Sequence, residues 1–451
     1  MKIALIKPTI GTKSHSLYVD EGRMEPLQLA VLAAMLPDDF DVVMYDDRME
    51  KITYDKPVDA VLITVETYTA KRAYEIASEY IERKIPVIMG GMHAKLATSE
   101  VMEHCDCTVV GDAENVLLQV MDDLRNNNLQ KLYTSDIANP PQKNCRTRRD
   151  IFNGKGYLPI SLIQFSRGCI NSCTYCASGR YFKQNHCCRD IEDVIAEIKS
   201  QKRKFIFFVD DNITADREKA KALFRALIPL KINWVSQGTI DMVYDEELME
   251  LIKKSGGMGF VIGFESISPA SIDLIEKEVN KQGGANKYKE EIKALKKWGL
   301  QTWAAFTVGH DTDTVESIRQ TVDWALQNKF TFAAFNILMP YPNTPLYEQL
   351  QAEGRLLYDE KWWLHDKYRF NQASYVPKNM TPAELTEVAF YCRKKFNSPL
   401  SILRRIFDIR TNMRTPKKLI TYLLYNPLFR KEVYKKQDMQ FGLRHFKGDN
   451  K

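Results

Sequence analysis

Two series of short apolar runs, each alternating with segments of helical periodicity, constrain the fold of this chain most strongly. In residues 1–125 the runs typical of strands lie at 2–8, 41–46, 60–65, 86–91 and 107–112. Segments with apolar residues at helical spacing lie between them, at 24–36, 68–84 and 114–127. Strands that alternate with helices predict a parallel sheet with both faces covered, whose ligands bind at the carboxyl ends of the strands.

The second series repeats the alternation six times and predicts a further α/β unit. Its apolar runs lie at 158–166, 204–211, 232–239, 258–266, 302–309 and 332–340. The helical segments lie at 190–201, 216–228, 245–255, 287–298, 314–328 and 345–352. Six consecutive β/α units indicate a barrel or a partial barrel of parallel strands, in which the carboxyl ends of the strands carry the chemistry.

Two stretches without this alternation set the predicted domain boundaries. Residues 128–157 are polar, contain the pair Pro140–Pro141 and lack sustained periodicity, as in a linker. From about residue 376 the pattern becomes helical. We therefore expect four parts: a first domain at 1–127, a linker at 128–157, a barrel at 158–375 and a basic helical region at 376–451.

The basic charge of the chain is concentrated in residues 400–451, which contain 13 Lys and Arg against 4 Asp and Glu. Basic residues among Leu, Ile, Phe and Tyr at helical spacing are typical of a solvated helical cap, or of a surface that contacts a membrane or a lipid-like substrate. Nucleic acid is not expected as a partner, because the aromatic residues lie among aliphatic ones rather than in a separate stacking platform.

Cysteine usage and hydropathy bear on the compartment. The sequence contains nine cysteines, an odd number, and no export signal. No stretch approaches 18 uninterrupted apolar residues, the length that predicts a spanning helix. We expect a reducing, cytoplasmic compartment in which thiols are kept for chemistry, with membrane association of the basic tail as an option.

The segment SRGCINSCTYCASGRYF, residues 166–182, places Cys169, Cys173 and Cys176 directly after the first strand of the barrel series. A structural zinc site normally closes with four Cys or His ligands, and this spacing fits no pair of CxxC knuckles, although Cys187 and Cys188 lie near. Three cysteines on a four-iron cluster would leave one iron open, as in catalytic metal sites. Zinc and free thiols remain alternatives on the triplet alone.

The pattern CxxxCxxC, with Tyr175 just before the last cysteine, resembles the radical S-adenosylmethionine (SAM) family. The resemblance implies a 4Fe-4S cluster on Cys169, Cys173 and Cys176, whose open iron binds the amino and carboxyl groups of SAM. It also implies that an electron from the cluster cleaves SAM to a 5′-deoxyadenosyl radical. The electron would come from an external donor of the flavodoxin or ferredoxin type.

Later strand ends of the series resemble the SAM-binding segments of this family. FVDDNIT ends the second strand, and Asp210 and Asp211 resemble the segment that faces the methionine amino group. VSQGT ends the third strand and offers Gln237 as a polar contact. GFESIS ends the fourth, where Glu265 resembles a residue near the ribose hydroxyls. Tyr175 completes the predicted SAM set. Taken alone, the Asp210–Asp211 pair is equally typical of a polar strand end with a helix cap.

The segment VIMGGMHAKLATSEVMEHCDCTVVGDAEN is similar to the cobalamin-binding domain joined to one radical SAM subfamily. This implies a flavodoxin-like (Rossmann-type) first domain, where small residues at strand ends let a corrin ring lie close to the backbone. The predicted cobalamin contacts are Thr9, Thr64, Gly90, Gly91, His93, Gly111 and Glu114. The chain has no D-x-H-x-x-G motif, so His93 is expected to hydrogen-bond or shape the loop rather than bind cobalt. A scaffold without a ligand is the alternative.

The resemblance implies a function of one class and leaves two alternatives. The favoured hypothesis is a cobalamin-dependent radical SAM enzyme that methylates an unactivated carbon of a small-molecule or lipid-like substrate through methylcobalamin. A runner-up is a radical SAM enzyme that catalyses cyclisation, oxidation or carbon–carbon coupling without methyl transfer. A hypothesis of another class is a non-catalytic iron–sulfur or zinc binding module.

Overall fold

The computed structural model describes residues 1–12, 22–135, 147–281 and 284–442, without the side chains of Thr12 and of residues 284–286. It contains two six-stranded sheets and a group of helices that follows them. The Pro140–Pro141 pair of the predicted linker lies outside the described residues.

The first sheet is parallel throughout, with the order β2-β1-β3-β4-β5-β6. Its strands are β1 (Lys2–Lys7), β2 (Asp41–Asp46), β3 (Ala60–Thr64), β4 (Val87–Gly90), β5 (Cys107–Val110) and β6 (Leu132–Thr134). Its helices are α1 (Leu27–Met35), α2 (Ala70–Glu82), α3 (Met92–Leu96), α4 (Thr98–Met102) and α5 (Leu117–Arg125). The first five strands have the flavodoxin-like order 2-1-3-4-5, as predicted.

The sixth strand differs from the prediction, because β6 lies inside the segment 128–157 assigned as a linker. It is only three residues long and sits at the edge of the sheet, where Thr108, Val109 and Val110 pair with it. A run this short, flanked by polar residues, has no periodicity that distinguishes it from a loop. The first sheet therefore extends further along the chain than the sequence indicated.

The side chains of β1 show how this sheet is buried on both faces. Ala4 and Ile6 belong to the apolar cluster that contains α2, whereas Ile3 and Leu5 belong to the cluster that contains α1 and α5. Successive side chains of a strand point to opposite faces, so an uninterrupted apolar run needs cover on each side. The continuous run that predicted this strand is explained by the two helical layers.

The second sheet is also parallel, and its strands pair in chain order from β7 to β12. They are β7 (Ser161–Ile163), β8 (Phe205–Phe208), β9 (Asn233–Gly238), β10 (Gly257–Glu265), β11 (Gln301–Val308) and β12 (Phe332–Ile337). The helices are α6 (Ala177–Phe182), α7 (Ile191–Ser200), α8 (Arg217–Leu227), α9 (Glu246–Lys254), α10 (Pro269–Leu274), α11 (Glu278–Lys281), α12 (Gly284–Trp298), α13 (Val315–Gln327) and α14 (Pro345–Ala352). This confirms the predicted six-unit partial barrel.

Three helices follow: α15 (Pro382–Phe396), α16 (Pro399–Ile406) and α17 (Pro416–Lys436). Helix α16 is fixed by Arg405, whose guanidinium donates to the carbonyl oxygens of Phe330 (2.9 Å) and Thr331 (2.8 Å), just before β12. Lys418 of α17 donates to the Gly299 carbonyl, just before β11. Helices α16 and α17 therefore cover the amino-terminal ends of the barrel strands.

The carboxyl ends of the two sheets lie on the side where the domains meet. Tyr68, in the loop after β3, packs against Tyr341, in the loop after β12, with ring centroids 6.0 Å apart. Trp362 and Phe441 pack on the same Tyr68 ring. Ligands of parallel sheets bind at this end of the strands, so the two predicted ligand edges share one interface.

Candidate functional site

The backbone of the cysteine loop is closed by a short antiparallel ladder. Ser166–Arg167 pairs with Cys187–Cys188, which lie after the three cysteines in the chain. Gly168 has φ +81°, and a side chain there would collide with the Asn185 carbonyl. Residues 169–176 are therefore presented between the two arms of the ladder, and Cys187 and Cys188 are part of its return arm.

Cys169, Cys173 and Cys176 are partly buried and close enough to influence one another electrostatically. Burial raises the pKa of the Cys173 thiol to about 12. The Asn171 amide donates to Cys169 Sγ at 3.3 Å, and the Gly179 N–H donates to Cys176 Sγ at 3.5 Å. Donors to sulfur stabilise a thiolate, which is the form that binds iron.

This donor set fits a multi-iron cluster better than a single ion. In the described part of the chain, no three His, Cys, Asp or Glu side chains converge closely enough to hold one metal ion. The cysteines of a four-iron cluster each bind a different iron and need not converge on one point. Three neighbouring thiols, two of them with N–H donors, therefore suit a cluster with one iron left open.

Asp210, at the end of β8, holds the start of the cysteine loop. Its carboxylate accepts from the Phe165 N–H at 3.2 Å and from both the N–H and the hydroxyl of Ser166. Burial outweighs these bonds and raises the pKa of Asp210 to about 7. Gln237, at the end of β9, donates to the Asp210 carbonyl at 3.1 Å.

Asp211 also binds the cysteine loop, by accepting from the Gly168 N–H at 3.1 Å. Both acidic residues predicted to contact SAM thus bind backbone groups of the segment that precedes Cys169. This use was not visible in the sequence, because a polar strand end does not reveal which neighbouring loop it contacts. Their geometry explains how the second strand end orders the loop after the first.

Glu265, at the end of β10, has a left-handed backbone conformation, with φ +63°. The pairing of β10 with β11 shifts register between Gly263 and Glu265. A left-handed L-residue costs about 1–2 kcal/mol, and such residues are enriched at functional sites. The shift turns the Glu265 side chain into the protein, where it is only 7% exposed.

Glu265 is paired with Lys277, whose Nζ lies 2.7 Å from Oε1 and also donates to the Gly263 carbonyl at 2.7 Å. A side chain on Gly263 would overlap the Glu265 carboxylate. Burial acts to lower the pKa of Lys277, but the adjacent carboxylate more than offsets it and the pKa is raised. Burial raises the pKa of Tyr175, which lies between two of the cysteines in the sequence, and the nearby Glu265 carboxylate raises it further.

Lys277 was missed by sequence reasoning. Its ammonium is close enough to Cys173 and Cys169 for electrostatic interaction. It lies in the stretch IEKEVNK, where alternating charges are typical of a solvated helix. Lys277 reaches the end of β10 beside its register shift, which the sequence does not show.

The first sheet places its predicted cobalamin contacts at the carboxyl ends of β1, β3, β4 and β5. Gly91 has φ +112°, and a Cβ there would lie 2.8 Å from the Val65 carbonyl, close to Thr64; Gly111 has φ +92°. The backbone itself requires these two glycines. Gly90 is different, because a Cβ there would make only an ordinary contact, 3.5 Å from the Val109 oxygen. The absence of a side chain at Gly90 suits a ligand that lies on the strand end.

Thr9, after β1, supplies a second observation that suits a ligand. Its side chain is buried, and within the described residues its hydroxyl has no hydrogen-bond partner. Buried hydroxyls are normally bonded. The Thr9 hydroxyl and Gly90 therefore both lie at strand ends of the first sheet and are compatible with a polar group bound there.

His93 is fully buried, and both of its ring nitrogens are engaged. Nδ1 lies 3.2 Å from the Thr67 hydroxyl, and Nε2 lies 3.1 Å from Glu100 Oε1. Trp363, beyond the barrel, donates to the same Glu100 oxygen at 2.9 Å. Burial acts to raise the pKa of Glu100, but the bonds from His93 and Trp363 dominate and lower it to about 2. His93 thus belongs to a hydrogen-bonded group between the two domains.

Glu114 is bound by Arg167, the residue before Gly168 in the cysteine loop. Arg167 also donates to Asp112 Oδ2 at 2.9 Å, and the Tyr181 hydroxyl donates to Asp112 Oδ1 at 3.2 Å. Sequence reasoning missed Arg167 as a contact, although a charged residue inside an otherwise tight loop is a usable signal for a buried partner. The loop after β5 is therefore joined directly to the cysteine loop.

Two family models match the chain. The B12 binding domain matches residues 18–121, and the Radical SAM superfamily matches residues 163–325. The chain combines a B12-binding domain with a radical SAM domain. The radical SAM domain implies a 4Fe-4S cluster and SAM, and the B12-binding domain implies cobalamin.

Two curated relatives match most of the chain. It is 26% identical over 420 residues to the bacteriochlorophyllide d C-12(1)-methyltransferase of Chlorobaculum tepidum, covering 90% of this chain and 89% of that protein. It is 24% identical over 393 residues to the anaerobic magnesium-protoporphyrin IX monomethyl ester cyclase of Cereibacter sphaeroides, covering 77% and 61%.

Among solved structures, the radical SAM methyltransferase TsrM of Kitasatospora setae, with cobalamin and a 4Fe-4S cluster bound, has a TM-score of 0.61 at 18% identity. The match covers 86% of this chain and 81% of that one. At this identity it supports the fold, in which the B12-binding and radical SAM domains follow each other.

Proposed function

We propose that this chain is a cobalamin-dependent radical SAM methyltransferase that acts on an unactivated carbon of a small molecule. The observation that carries the proposal is the contact of Arg167, in the cysteine loop, with Asp112 and Glu114, in a strand-end loop of the B12-binding domain. The ligand edges of the two domains share one interface, so a methyl donor and a substrate radical can meet there. The methyltransferase relative supports the same class of reaction.

In this proposal Cys169, Cys173 and Cys176 bind the three closed irons of the cluster. The N–H donors from Asn171 and Gly179 lower the cost of holding charge on two of the sulfurs. When bound, the cluster and SAM would supply a radical and cobalamin would supply the methyl group. The chain's own side chains would orient these groups and exclude water.

The proposed SAM site uses the strand ends of the barrel in two ways. Asp210 and Asp211 position the cysteine loop through its backbone, and Gln237 supports Asp210. Glu265 and Tyr175 lie beside the cysteines and are the groups placed to meet the ribose and the cluster side of SAM. Glu265 is held in this position by Lys277 and by the register shift of β10.

The proposed cobalamin site lies on the carboxyl edge of the first sheet. The proposal rests on Thr9, whose buried hydroxyl has no hydrogen-bond partner among the described residues, and on Gly90, which has no side chain at its strand end. Thr64, Gly91 and Gly111 shape the loops around them. His93 and Glu114 hold those loops in contact with the radical SAM domain. The proposed cobalamin set is Thr9, Thr64, Gly90, Gly91, His93, Gly111 and Glu114.

The proposal includes two partners. An external flavodoxin- or ferredoxin-type protein would deliver the electron, and the substrate would be a small or lipid-like molecule. A cytoplasmic setting with peripheral membrane contact of the basic tail is part of the proposal and involves a different face of the molecule. None of the helices in the described part of the chain is both long and apolar enough to cross a bilayer.

Anaerobic reconstitution with iron and sulfide tests the radical step. We expect the broad visible absorption of a four-iron cluster, and release of 5′-deoxyadenosine from SAM after reduction with dithionite. Protein purified with excess cobalamin should retain a corrinoid spectrum. A fully reconstituted cluster that releases no deoxyadenosine would contradict the proposal, because a binding module has no need to cleave SAM.

The cyclase relative is the reason to test a second candidate, a radical SAM reaction without methyl transfer. SAM labelled in its methyl group separates the two. Transfer of label to the corrinoid or to an added substrate supports methylation. Deoxyadenosine formation with a bound corrinoid that never acquires label would favour the second candidate.

A further inference from the structure

The last two helices of the barrel side have their apolar faces turned outward. On α16, Ser401 and Arg405 are buried, whereas Leu400 and Leu403 are more than half exposed. At 100° per residue the exposed leucines lie opposite the buried pair. A helix that packs on a protein core normally shows the reverse arrangement.

Helix α17 repeats this inversion. Tyr422 and Asn426 are buried, and Asn426 accepts from the Arg405 guanidinium at 3.1 Å. Ile420 and Leu424, on the other side of the helix, are 55% and 65% exposed. The turn between the helices adds Phe407 at 61% and Ile409 at 75%. Together these side chains form the C-terminal apolar surface: Leu400, Leu403, Phe407, Ile409, Ile420, Leu423 and Leu424.

The charges in this segment have a single sign. The exposed charged residues between 399 and 424 are Arg404, Arg410, Arg414 and Lys417. The one acidic residue of the segment, Asp408, is buried and paired with Lys296 at 2.7 Å. Apolar side chains flanked by Arg and Lys suit a bilayer interface with anionic head groups.

A cleft beside the surface has the same character. Its volume is about 400 Å³, and Leu326 and Leu400 line it together with Lys329, Lys395 and Arg404. A second copy of the chain is a poorer occupant, because a two-fold contact would place the four like charges of each surface against those of the other. The core of a protein–protein interface is also depleted of charge.

We propose that the C-terminal apolar surface docks on an anionic lipid bilayer, with its leucines, Phe407 and Ile409 inserted among the head groups. Arg404, Arg410 and Lys417 then contact lipid phosphates. This contact is peripheral, and it leaves the carboxyl ends of the barrel strands uncovered. It does not depend on the proposed reaction.

Vesicle co-sedimentation of the full chain tests the proposal without cofactor or substrate. We expect binding to vesicles of phosphatidylcholine mixed with phosphatidylglycerol, little binding to phosphatidylcholine alone, and release by added salt. The variant Phe407→Ser/Ile409→Ser should bind about tenfold more weakly. Its matched control is Ile81→Ser/Leu118→Ser, which alters two exposed apolar residues of the first domain and should bind like the parent.

Charge reversal provides a second variant that leaves the apolar residues in place. Arg404→Glu/Arg410→Glu/Lys417→Glu should weaken binding at least about tenfold, whereas Lys51→Glu/Lys56→Glu/Lys84→Glu, on the first domain, should have a much smaller effect. Failure to bind anionic vesicles, equal binding to both vesicle types, or equal loss in the control variants would overturn the proposal. A second result would also overturn it: a protein that does not bind vesicles but forms a dimer by light scattering, where the Phe407→Ser/Ile409→Ser variant is monomeric.

Discussion

Asp210 and Asp211, beside one sheet, and Glu114, beside the other, use their carboxylates in opposite ways. In the radical SAM domain, Asp210 and Asp211 bind backbone N–H groups of the cysteine loop in the same domain. In the B12-binding domain, Glu114, in the loop after β5, binds a side chain of the other domain, and Glu100, in helix α4, binds Trp363 beyond the barrel. The first arrangement exists whenever the barrel folds. The second exists only when the domains are packed together, so it fixes where one cofactor lies relative to the other.

Replacement of the cluster cysteines should have the largest effect on activity, and this effect should be confined to the radical SAM domain. We expect Cys169→Ala, Cys173→Ala and Cys176→Ala each to abolish reconstitution of a four-iron cluster and release of deoxyadenosine, because each removes an iron ligand. The measurements are iron content, visible absorption and product analysis. Corrinoid binding should persist in all three variants.

The matched control is Cys187→Ala/Cys188→Ala, which keeps the backbone ladder with Ser166–Arg167. It should assemble the cluster as the parent does. A cluster that survives loss of a triplet cysteine but not loss of this pair would reassign the ligands.

Arg167→Met tests the link between the two regions. It leaves Asp112 and Glu114 buried without this cation, and breaking a buried ion pair costs about 3–5 kcal/mol. We expect deoxyadenosine release to change little while methyl transfer falls at least tenfold, since the cysteine loop stays intact and only the docking is weakened. Denaturant unfolding and the two product assays measure these effects.

Arg180→Met is the control for that variant, because Arg180 lies nearby on α6 but is half exposed, 3.9 Å from its acidic partner Glu348. Exposed pairs contribute about 0–1 kcal/mol. Equal loss of both products in Arg167→Met would mean that Arg167 serves the radical step itself rather than the docking.

The smallest effect is expected on folding stability at low pH, through protonation of Glu100. Its folded pKa of about 2 lies below the ordinary value of 4.5, so between these values the unfolded chain binds a proton and the folded chain does not. Stability from this group is complete above pH 4.5 and is lost as the pH falls toward 2. Allowing for partial exposure, we expect about 1–2 kcal/mol.

Unfolding followed by tryptophan fluorescence at pH 5 and pH 3 measures this change, because Trp363 donates to Glu100. The variant Glu100→Gln keeps the size of the side chain and removes the titration. If its pH dependence in this range equals that of the parent, Glu100 does not carry the effect.

The sequence was sufficient for the fold because burial on two faces leaves a direct trace in it. The continuous apolar run of β1 and the alternation of six β/α units needed no three-dimensional information. Strand β6 was not predicted, because three residues at a sheet edge are too few to show an alternating apolar pattern. The cysteine spacing and the strand-end polar residues were visible in the same way, since each stands directly after an apolar run.

The uses of those strand-end residues were not visible. Asp210 is predicted to lie near the methionine end of SAM, but the sequence did not show that its carboxylate binds Ser166, 44 residues earlier in the chain. Lys277 pairs with Glu265 beside the register shift of β10, and Arg167 binds carboxylates of the other domain. Contacts of this kind depend on how strands are registered and domains are packed, which is set by the whole fold.

The position of α16 and α17 affects the side from which a substrate or an electron donor can approach the enzyme. They cover the amino-terminal ends of the strands, where Arg405 holds the start of β12, while the cysteine loop lies at the other ends. The nine residues of β10 span up to about 30 Å. A bilayer at the helical end would thus face the closed floor of the barrel, and the mouth would open toward water. A lipid substrate would have to leave the membrane and be carried around the protein, whereas a water-borne substrate or an electron donor would approach unobstructed.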